Sequence, residues 1–369
     1  MAYVAIRGGA DAIKGSARLM DALRAMGSSA PLELDQIERQ MPLLHSRVLS
    51  EGGLYHPRLA SLALKQSLGD SLEAAFFLRA YRSTKPRLGE TAPHDTRTMR
   101  VVRRVSAAFK DIPGGQMLGA TPDYLHRLFR FELMDEGPET FAQIARDWFG
   151  NRPKAEAPLT FPKVLDTLRD EGLLAPLAES DEEPFDITRE PLIFPVPRSA
   201  QLATMARGET GGLLALAYSN MRGYGDVHPT VGELRVGYVP VMVPHPVTGK
   251  PMEAGEVLVT ECEIVAMFEK ADDGAPVFTL GYGACFGHNE VKAIAMAVLD
   301  RAISVAKDKG RIANPSEDPE FVLLHVDGIE SMGFCTHYKM PHYVTFQSDM
   351  DRLRTTQQKM QQKASEATT

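Results

Sequence analysis

Cys335-Thr-His-Tyr-Lys-Met-Pro-His342 puts one thiol and two imidazoles within eight residues. Both groups are good zinc ligands, and a protein zinc site normally takes three or four of them. His337 and His342 alone fall short of that number. Cys335, another segment, a partner subunit or a substrate would have to complete the set. Pro341 predicts a loop for the pair, because proline interrupts a helix. The same residues can simply stabilise a tight loop, and the paired CxxC of a strong zinc motif is missing.

Four further segments carry chemistry. Thr260-Glu261-Cys262-Glu263 reads as strand, so alternation puts Glu261 and Glu263 on one face. Adjacent carboxylates raise one another's pKa and can supply acid and base forms together; on a solvent face they are ordinary surface charges. Gly281-Tyr-Gly283-Ala-Cys-Phe-Gly287 precedes a helix whose N-terminus offers free N–H groups to phosphate. Its spacing is GxGxxxG rather than the dinucleotide fingerprint, and a tight strand-to-helix turn explains it better than a phosphate site. Arg222-Gly-Tyr224-Gly-Asp-Val-His228 combines a guanidinium fork for phosphate, a ring that can stack on a base, and an imidazole. Gly, Asp and Pro are also the ordinary residues of a polar loop. Lys110-Asp-Ile-Pro-Gly114-Gly115-Gln116 is either an anion cradle beside a lysine or a type II turn with Pro113 and Gly114 at its centre. Asp300 falls on the inward stripe of its helix, as a hydrogen-bonded structural carboxylate would.

The elements that must position these groups divide unevenly. A short strand is predicted near Val4 to Ile6. Ile37, Met41, Leu44 and Val48 then make one helical stripe, ended by Gly52 and Gly53. Pro57 opens a helix facing inward through Leu59, Leu62 and Ala63. Gly69 stops it, and Asp70-Ser-Leu-Glu73 resembles a capping box. The next helix carries Phe76, Phe77 and Leu78 inward, with Arg79 and Arg82 near its C-terminal end, where the dipole favours cations. Thr121-Pro122 predicts a helix with Leu125, Leu128 and Phe129 as its apolar face, and another runs from Glu139 to Trp148. Residues 151–162 read as irregular.

Beyond a proline-rich, acidic stretch the texture changes. Leu234 to Val243, Val257 to Val265 and Phe278 to Gly281 are rich in β-branched residues and read as strands. Asn289 to Lys307 is a long helix, Phe321 to His325 a strand, and a polar helix starts at Ser348. Helices first and strands later predict an α+β fold, with a mostly helical N-terminal half and a mixed strand and helix C-terminal half. The expected organisation is a helical domain over 1–174, a connection over 175–198, an α+β domain over 199–347 and a polar C-terminal helix or tail over 348–369.

Composition excludes several classes. The 369 residues suggest about two domains, at roughly 150 residues each. A 44% apolar and 24% charged chain is globular in character. A net charge of −7 argues against a main role on nucleic acid or an anionic membrane surface. No stretch approaches the ~18 apolar residues that span a bilayer. Three cysteines make no disulfide framework, and the expected setting is the reducing cytoplasm.

Several segments in order go beyond generic reading. They are Arg7-Gly8-Gly9, Ser50-Glu-Gly-Gly53, Leu62-Ala-Leu-Lys-Gln66, Phe77-Leu-Arg-Ala-Tyr-Arg82 and Lys110 to Gln116. Later come Leu214-Ala-Leu-Ala-Tyr-Ser219, Arg222 to Gly225, Thr260 to Glu263 and His337 to Tyr343. In this order the chain closely resembles PhnI, a subunit family of the bacterial carbon–phosphorus lyase core complex. The resemblance runs from about Tyr3 to Gln347 and thins between about Asp135 and Pro191.

The resemblance implies phosphonate breakdown. With PhnG, PhnH and the ATPase-like PhnL, such a subunit replaces the adenine of ATP with an alkylphosphonate, giving ribose 1-methylphosphonate 5-triphosphate. Alone it resembles a purine nucleosidase. It further implies a PhnJ neighbour, and zinc held by His337 and His342 at that contact. Displacement at an anomeric carbon passes through an oxocarbenium-like transition state. Residue type and loop setting nominate Arg79, Arg82, Lys110 and Arg222 as cations for the triphosphate, beside Gly114, Gly115, Tyr224, Gly281 and Gly283. The same criteria nominate Glu261, Glu263 and His228 for the sugar and the leaving base, with magnesium on ATP. A non-catalytic scaffold is the alternative, and a stand-alone zinc hydrolase is disfavoured by the lack of HExxH.

Overall fold

A computed structural model describes residues 9–27, 30–150, 161–175, 182–224, 228–270, 275–339 and 345–366. The predicted strand at Val4 to Ile6 lies outside them, as do His342 and most of 151–162. In chain order the helices are α1 (Ala10–Arg24), α2 (Leu34–Gln40), α3 (Pro42–Gly52), α4 (Pro57–Gln66) and α5 (Ser71–Ser83). Strand β1 (Arg100–Val105) is followed by α6 (Pro138–Phe149), α7 (Val164–Asp170), α8 (Arg198–Arg207) and α9 (Thr210–Tyr218). Strands β2 (Thr230–Pro244), β3 (Pro251–Lys270) and β4 (Pro276–Phe286) come next. Then come α10 (Glu290–Asp308), α11 (Pro319–His325), α12 (Gly328–Lys339) and α13 (Thr345–Glu366). The fold is α+β.

The chain forms two compact units, one from residues 1–33 and 330–369, the other from 34–329. The proline-rich connection at 175–198 therefore falls inside the second unit. The reason is β1, which precedes the connection yet pairs antiparallel with β2 beyond it.

The sheet has the order β1-β2-β3-β4, antiparallel throughout. Its two faces differ. One carries Leu234, Cys262, Ile264 and Cys285, and α10 packs there through Ala293, Met296 and Ala297. The approach is close: a Cβ added at Gly281 would lie 2.0 Å from the Ala297 carbonyl oxygen, and one at Gly283 2.2 Å from that of Ala293. The other face carries Glu233, Arg235, Glu261, Glu263 and Tyr282, register partners across β2, β3 and β4. Helix α7 covers it, and Leu165 and Leu168 pack against Val265 there.

Local rules place most helix ends. Asn289 caps α10 by accepting from the Lys292 N–H, and Asp70 caps α5 by accepting from Leu72 and Glu73. Gly53 ends α3 in the left-handed conformation, and Pro57 opens α4. Asp300 is fully buried and accepts from Arg198, Gln201 and the Tyr282 N–H.

Other expectations are corrected. The stripe from Ile37 to Val48 is broken at Met41, because Pro42 starts a new helix. Leu62 and Phe76 are exposed; the inward positions are Ala60, Ala63 and Leu64 in α4 and Ala74, Ala75 and Leu78 in α5. Thr121 to Phe129 forms no helix, and Leu128 and Phe129 stand in solvent. Phe321 to His325 is helix, since Asp318 caps it and Pro319 opens it.

Candidate active site and its buried charge network

The charged sheet face is a closed network. Glu261 and Arg235 are register partners, and both are about 98% buried, at 2% and 1% exposure. Glu261 accepts from Arg235, from Lys163 Nζ at 2.9 Å, from Thr96 Oγ1 at 2.7 Å and from the Tyr282 hydroxyl at 3.1 Å. Glu233 accepts from Arg104 Nε at 2.6 Å and from the Val164 N–H at 3.2 Å. Glu263 sits 3.6 Å from Lys163, and its Oε2 is buried with no hydrogen-bond partner. Above the network, Arg97 grips Asp166 of α7 with two bonds, at 2.9 and 3.0 Å, which holds the cover in place.

Three cations face three carboxylates, and the network shifts Glu261 and Glu263 in opposite directions. Burial pushes Glu261 up, but Arg235 and Lys163 outweigh it and hold the group down. Burial pushes Glu263 up, Lys163 compensates incompletely, and Glu261 adds to the rise. Burial and the two glutamates also hold the Tyr282 hydroxyl protonated. The two carboxyls are thus pushed apart, Glu261 down and Glu263 up. Their place is corrected, however: both glutamates face the interior under α7 instead of a substrate or solvent.

The remaining candidates fall into two groups. Arg79 and Arg82 join elements: Arg79 pairs with Asp327 at 2.6 Å and donates to the Glu51 carbonyl, while Arg82 donates to the Gly53 carbonyl at 3.2 Å. Gly281 and Gly283 serve the close approach of α10, which takes up the space a phosphate cradle would need. Gly114 and Gly115 form a type II turn closed by the Gly115 N–H on the Ile112 carbonyl. Arg104 binds the Pro113 carbonyl at 2.6 Å, and Phe161 covers Gly114. Lys110, Arg222, Tyr224 and His228, by contrast, are exposed; Arg222 lies in the turn of π-helix over Ser219–Gly223 that follows α9, and Tyr224 caps that turn.

His337 is exposed on the last turn of α12, a helix where a loop was expected. Among the described residues no group of three or more His, Cys, Asp or Glu side chains can hold a metal. His337 therefore brings one imidazole, and the fit to zinc depends on ligands beyond this helix.

Residues 2–360 match the family model described as "Bacterial phosphonate metabolism protein (PhnI)". The chain belongs to the PhnI family. PhnI of Escherichia coli strain K12, named as an alpha-D-ribose 1-methylphosphonate 5-triphosphate synthase subunit, is 44% identical over 96% of this chain and 98% of its own. PhnI of Rhizobium meliloti strain 1021, named likewise, is 43% identical over 95% and 94%. A provisionally named C-P lyase subunit protein of Stutzerimonas stutzeri, HtxH, is 68% identical over 97% of both chains. In this PhnI chain the network residues that sequence reasoning missed are Thr96, Arg104, Lys163, Glu233, Arg235 and Tyr282. A signal was present in β2 and β3: charged residues recur at every second position, Glu233 and Arg235 on one strand and Glu261 and Glu263 on its neighbour.

Proposed function

We propose that this chain is a subunit of a carbon–phosphorus lyase system. With PhnG-, PhnH- and PhnL-like partners it displaces adenine from ATP by methylphosphonate, giving ribose 1-methylphosphonate 5-triphosphate. With water in place of the phosphonate it acts as a purine nucleosidase. The observation that carries this reading is the 44% identity, over nearly the whole of both chains, to a relative named for that synthase. A PhnJ-like subunit is the proposed neighbour of His337 and His342, and zinc the metal they hold. The setting is cytoplasmic.

The chemistry assigns roles to the exposed groups. The triphosphate with its magnesium needs cations, and Arg222 and Lys110 stand in solvent. Tyr224, 54% exposed, offers a ring to the purine. His228 is the candidate that protonates the leaving base, since an imidazole exchanges protons near neutral pH. Glu261 and Glu263 act as positioning residues, holding β2 and β3 in register.

Partner contact has its own support. Phe129, Phe131, Met134, Trp148 and Phe149 are all more than half exposed, and no residue of α6 is buried. Apolar area on that scale marks an interaction surface. It also favours the scaffold alternative, in which catalysis lies elsewhere in the complex.

Chromatography of the purified chain with ATP and magnesium decides between them, run with and without methylphosphonate and the partner subunits. Free adenine from this chain alone, lost in His228→Asn, is the expected result. Adenine formed at full rate by the complex carrying His228→Asn would remove the catalytic reading and leave the scaffold.

A further inference from the structure

Leu213, Ala217 and Asn220 are the buried residues of α9 and the π turn that follows it. Their steps of four and three make one inward stripe, and its next position in an α-helix would be Tyr224. Tyr224 does not follow the stripe. The Tyr224 N–H donates to the Ser219 carbonyl at 3.1 Å, five residues back, where an α-helix bonds four back. The extra residue in the turn leaves the Tyr224 ring outward, 54% exposed, and Arg222 exposed with it. Single π turns are rare and occur mostly at functional sites.

What holds this turn is a side chain. Asn220, 1% exposed, donates from Nδ2 to Ser316 Oγ at 3.0 Å, across 96 residues of sequence. Ser316 is wholly buried in the 3₁₀ turn over Pro315–Glu317. Its hydroxyl donates to Asn314 Oδ1, which also accepts from the Ser316 N–H at 3.1 Å. Asn314 Nδ2 donates to Glu317 Oε1 at 2.7 Å, and Glu317 Oε2 accepts from the Ala313 N–H at 2.7 Å. This loop is closed on itself, so it offers Asn220 an acceptor at a fixed place. A buried amide without a partner is costly, which keeps Asn220 against Ser316. Asn220 lies inside the loop closed by the π bond from Tyr224 to Ser219. Fixing it fixes the directions in which Arg222 and Tyr224 leave the turn.

We infer that Asn220 is a positioning residue: held by Ser316, it locks the π turn and aims Arg222 and Tyr224 together at one ligand. That the ligand is ATP rests on the reaction proposed above, while the locking of the turn does not. Asn220 touches no reacting atom, and its effect passes through the two exposed side chains.

Hydrogen exchange of the full chain, read on peptides covering 219–224, reports the turn without any ligand. Asn220→Ala and Ser316→Ala are each expected to speed exchange there at least tenfold, with peptides of β2, β3 and β4 unchanged. Ser316→Ala removes only the acceptor, so the test does not depend on one variant folding. Adenine release from ATP and magnesium by the assembled subunits reports the ligand. Both variants are expected to raise KM for ATP about tenfold and to leave kcat within about twofold, the pattern of a lost binding interaction. In Arg222→Gln, which already lacks the aimed cation, Asn220→Ala is expected to add much less than it does in wild type. Unchanged exchange in folded Asn220→Ala and Ser316→Ala overturns the inference whatever the reaction is. Faster exchange with wild-type KM and kcat also overturns it, because the turn would then be locked for no ligand. No adenine from the wild-type assembly would instead overturn the proposed reaction and ATP as the ligand, while the exchange result still decides whether Asn220 holds the turn.

Discussion

Arg235 and Glu261 stand opposite each other across β2 and β3, and Arg235 Nη2 donates to Glu261 Oε2 at 2.5 Å inside the protein. Neither is accessible, so the pair belongs to the folding of the sheet. Removing one partner leaves the buried network with one charge in excess, Glu261 still meeting Lys163, and unbalancing a buried pair in this way costs about 3–5 kcal/mol. Arg235→Met and Glu261→Leu are each expected to lower the denaturation midpoint strongly. The double variant is expected to recover part of the loss, because it buries no orphan charge. A double-mutant cycle by chemical denaturation measures the coupling; additive losses would show that the two groups do not support each other.

Glu263 gives the fold a pH dependence of definite sign. Its carboxyl is raised above the ordinary value in the folded state, chiefly by burial. The folded form then holds more protons than the unfolded one between the two pKa values. This contribution is present below pH 4.5 and is lost as pH rises through about 7. Unfolding free energies of wild type and Glu263→Gln between pH 5 and 8 are the check. The difference between them is expected to favour the glutamine increasingly toward pH 8; a flat difference would mean that the carboxyl is ordinary.

The architecture was legible where a local rule decides an element. Asn289, Asp70, Pro57 and Gly53 fix helix ends by chemistry within a few residues, and each stands where expected. Strands β2 and β3 announce themselves through β-branched residues. What failed needed tertiary information. Leu125, Leu128 and Phe129 have helical spacing, yet all three stay more than half exposed. Strand β1 reads Arg-Val-Val-Arg-Arg-Val, and its arginines conceal it until Glu233 and Glu290 are seen to pair with them. The spacing of Glu261 and Glu263 correctly gave one face. It could not say that α7, from a hundred residues away in sequence, would cover that face.

Gly283 discriminates packing from ligand binding. A methyl group at this position meets the Ala293 carbonyl oxygen at 2.2 Å and Met296 Cβ at 2.7 Å, and neither α10 nor β4 can yield locally. Overpacking of this kind costs about 1–3 kcal/mol, occasionally more. Gly283→Ala is expected to lower thermal stability clearly, with methylphosphonate and ATP affinities unchanged in the fraction that folds. Normal stability with weakened ATP binding would restore the phosphate-cradle reading.

His337 and His342 carry the last prediction, which concerns a metal and leaves the core aside. His337 is exposed at the end of α12. A zinc bound through two histidines needs further ligands, so occupancy should rise when a partner subunit supplies them. Metal analysis of the chain alone and of the assembled complex is expected to find zinc mainly in the assembly. The double variant His337→Ala with His342→Ala is expected to lose that zinc while the melting temperature of the isolated chain stays within about a degree or two, as for surface substitutions away from buried features. Metal content unchanged in the doubly substituted complex would place the zinc on other residues and leave the pair as two histidines that stabilise a tight loop.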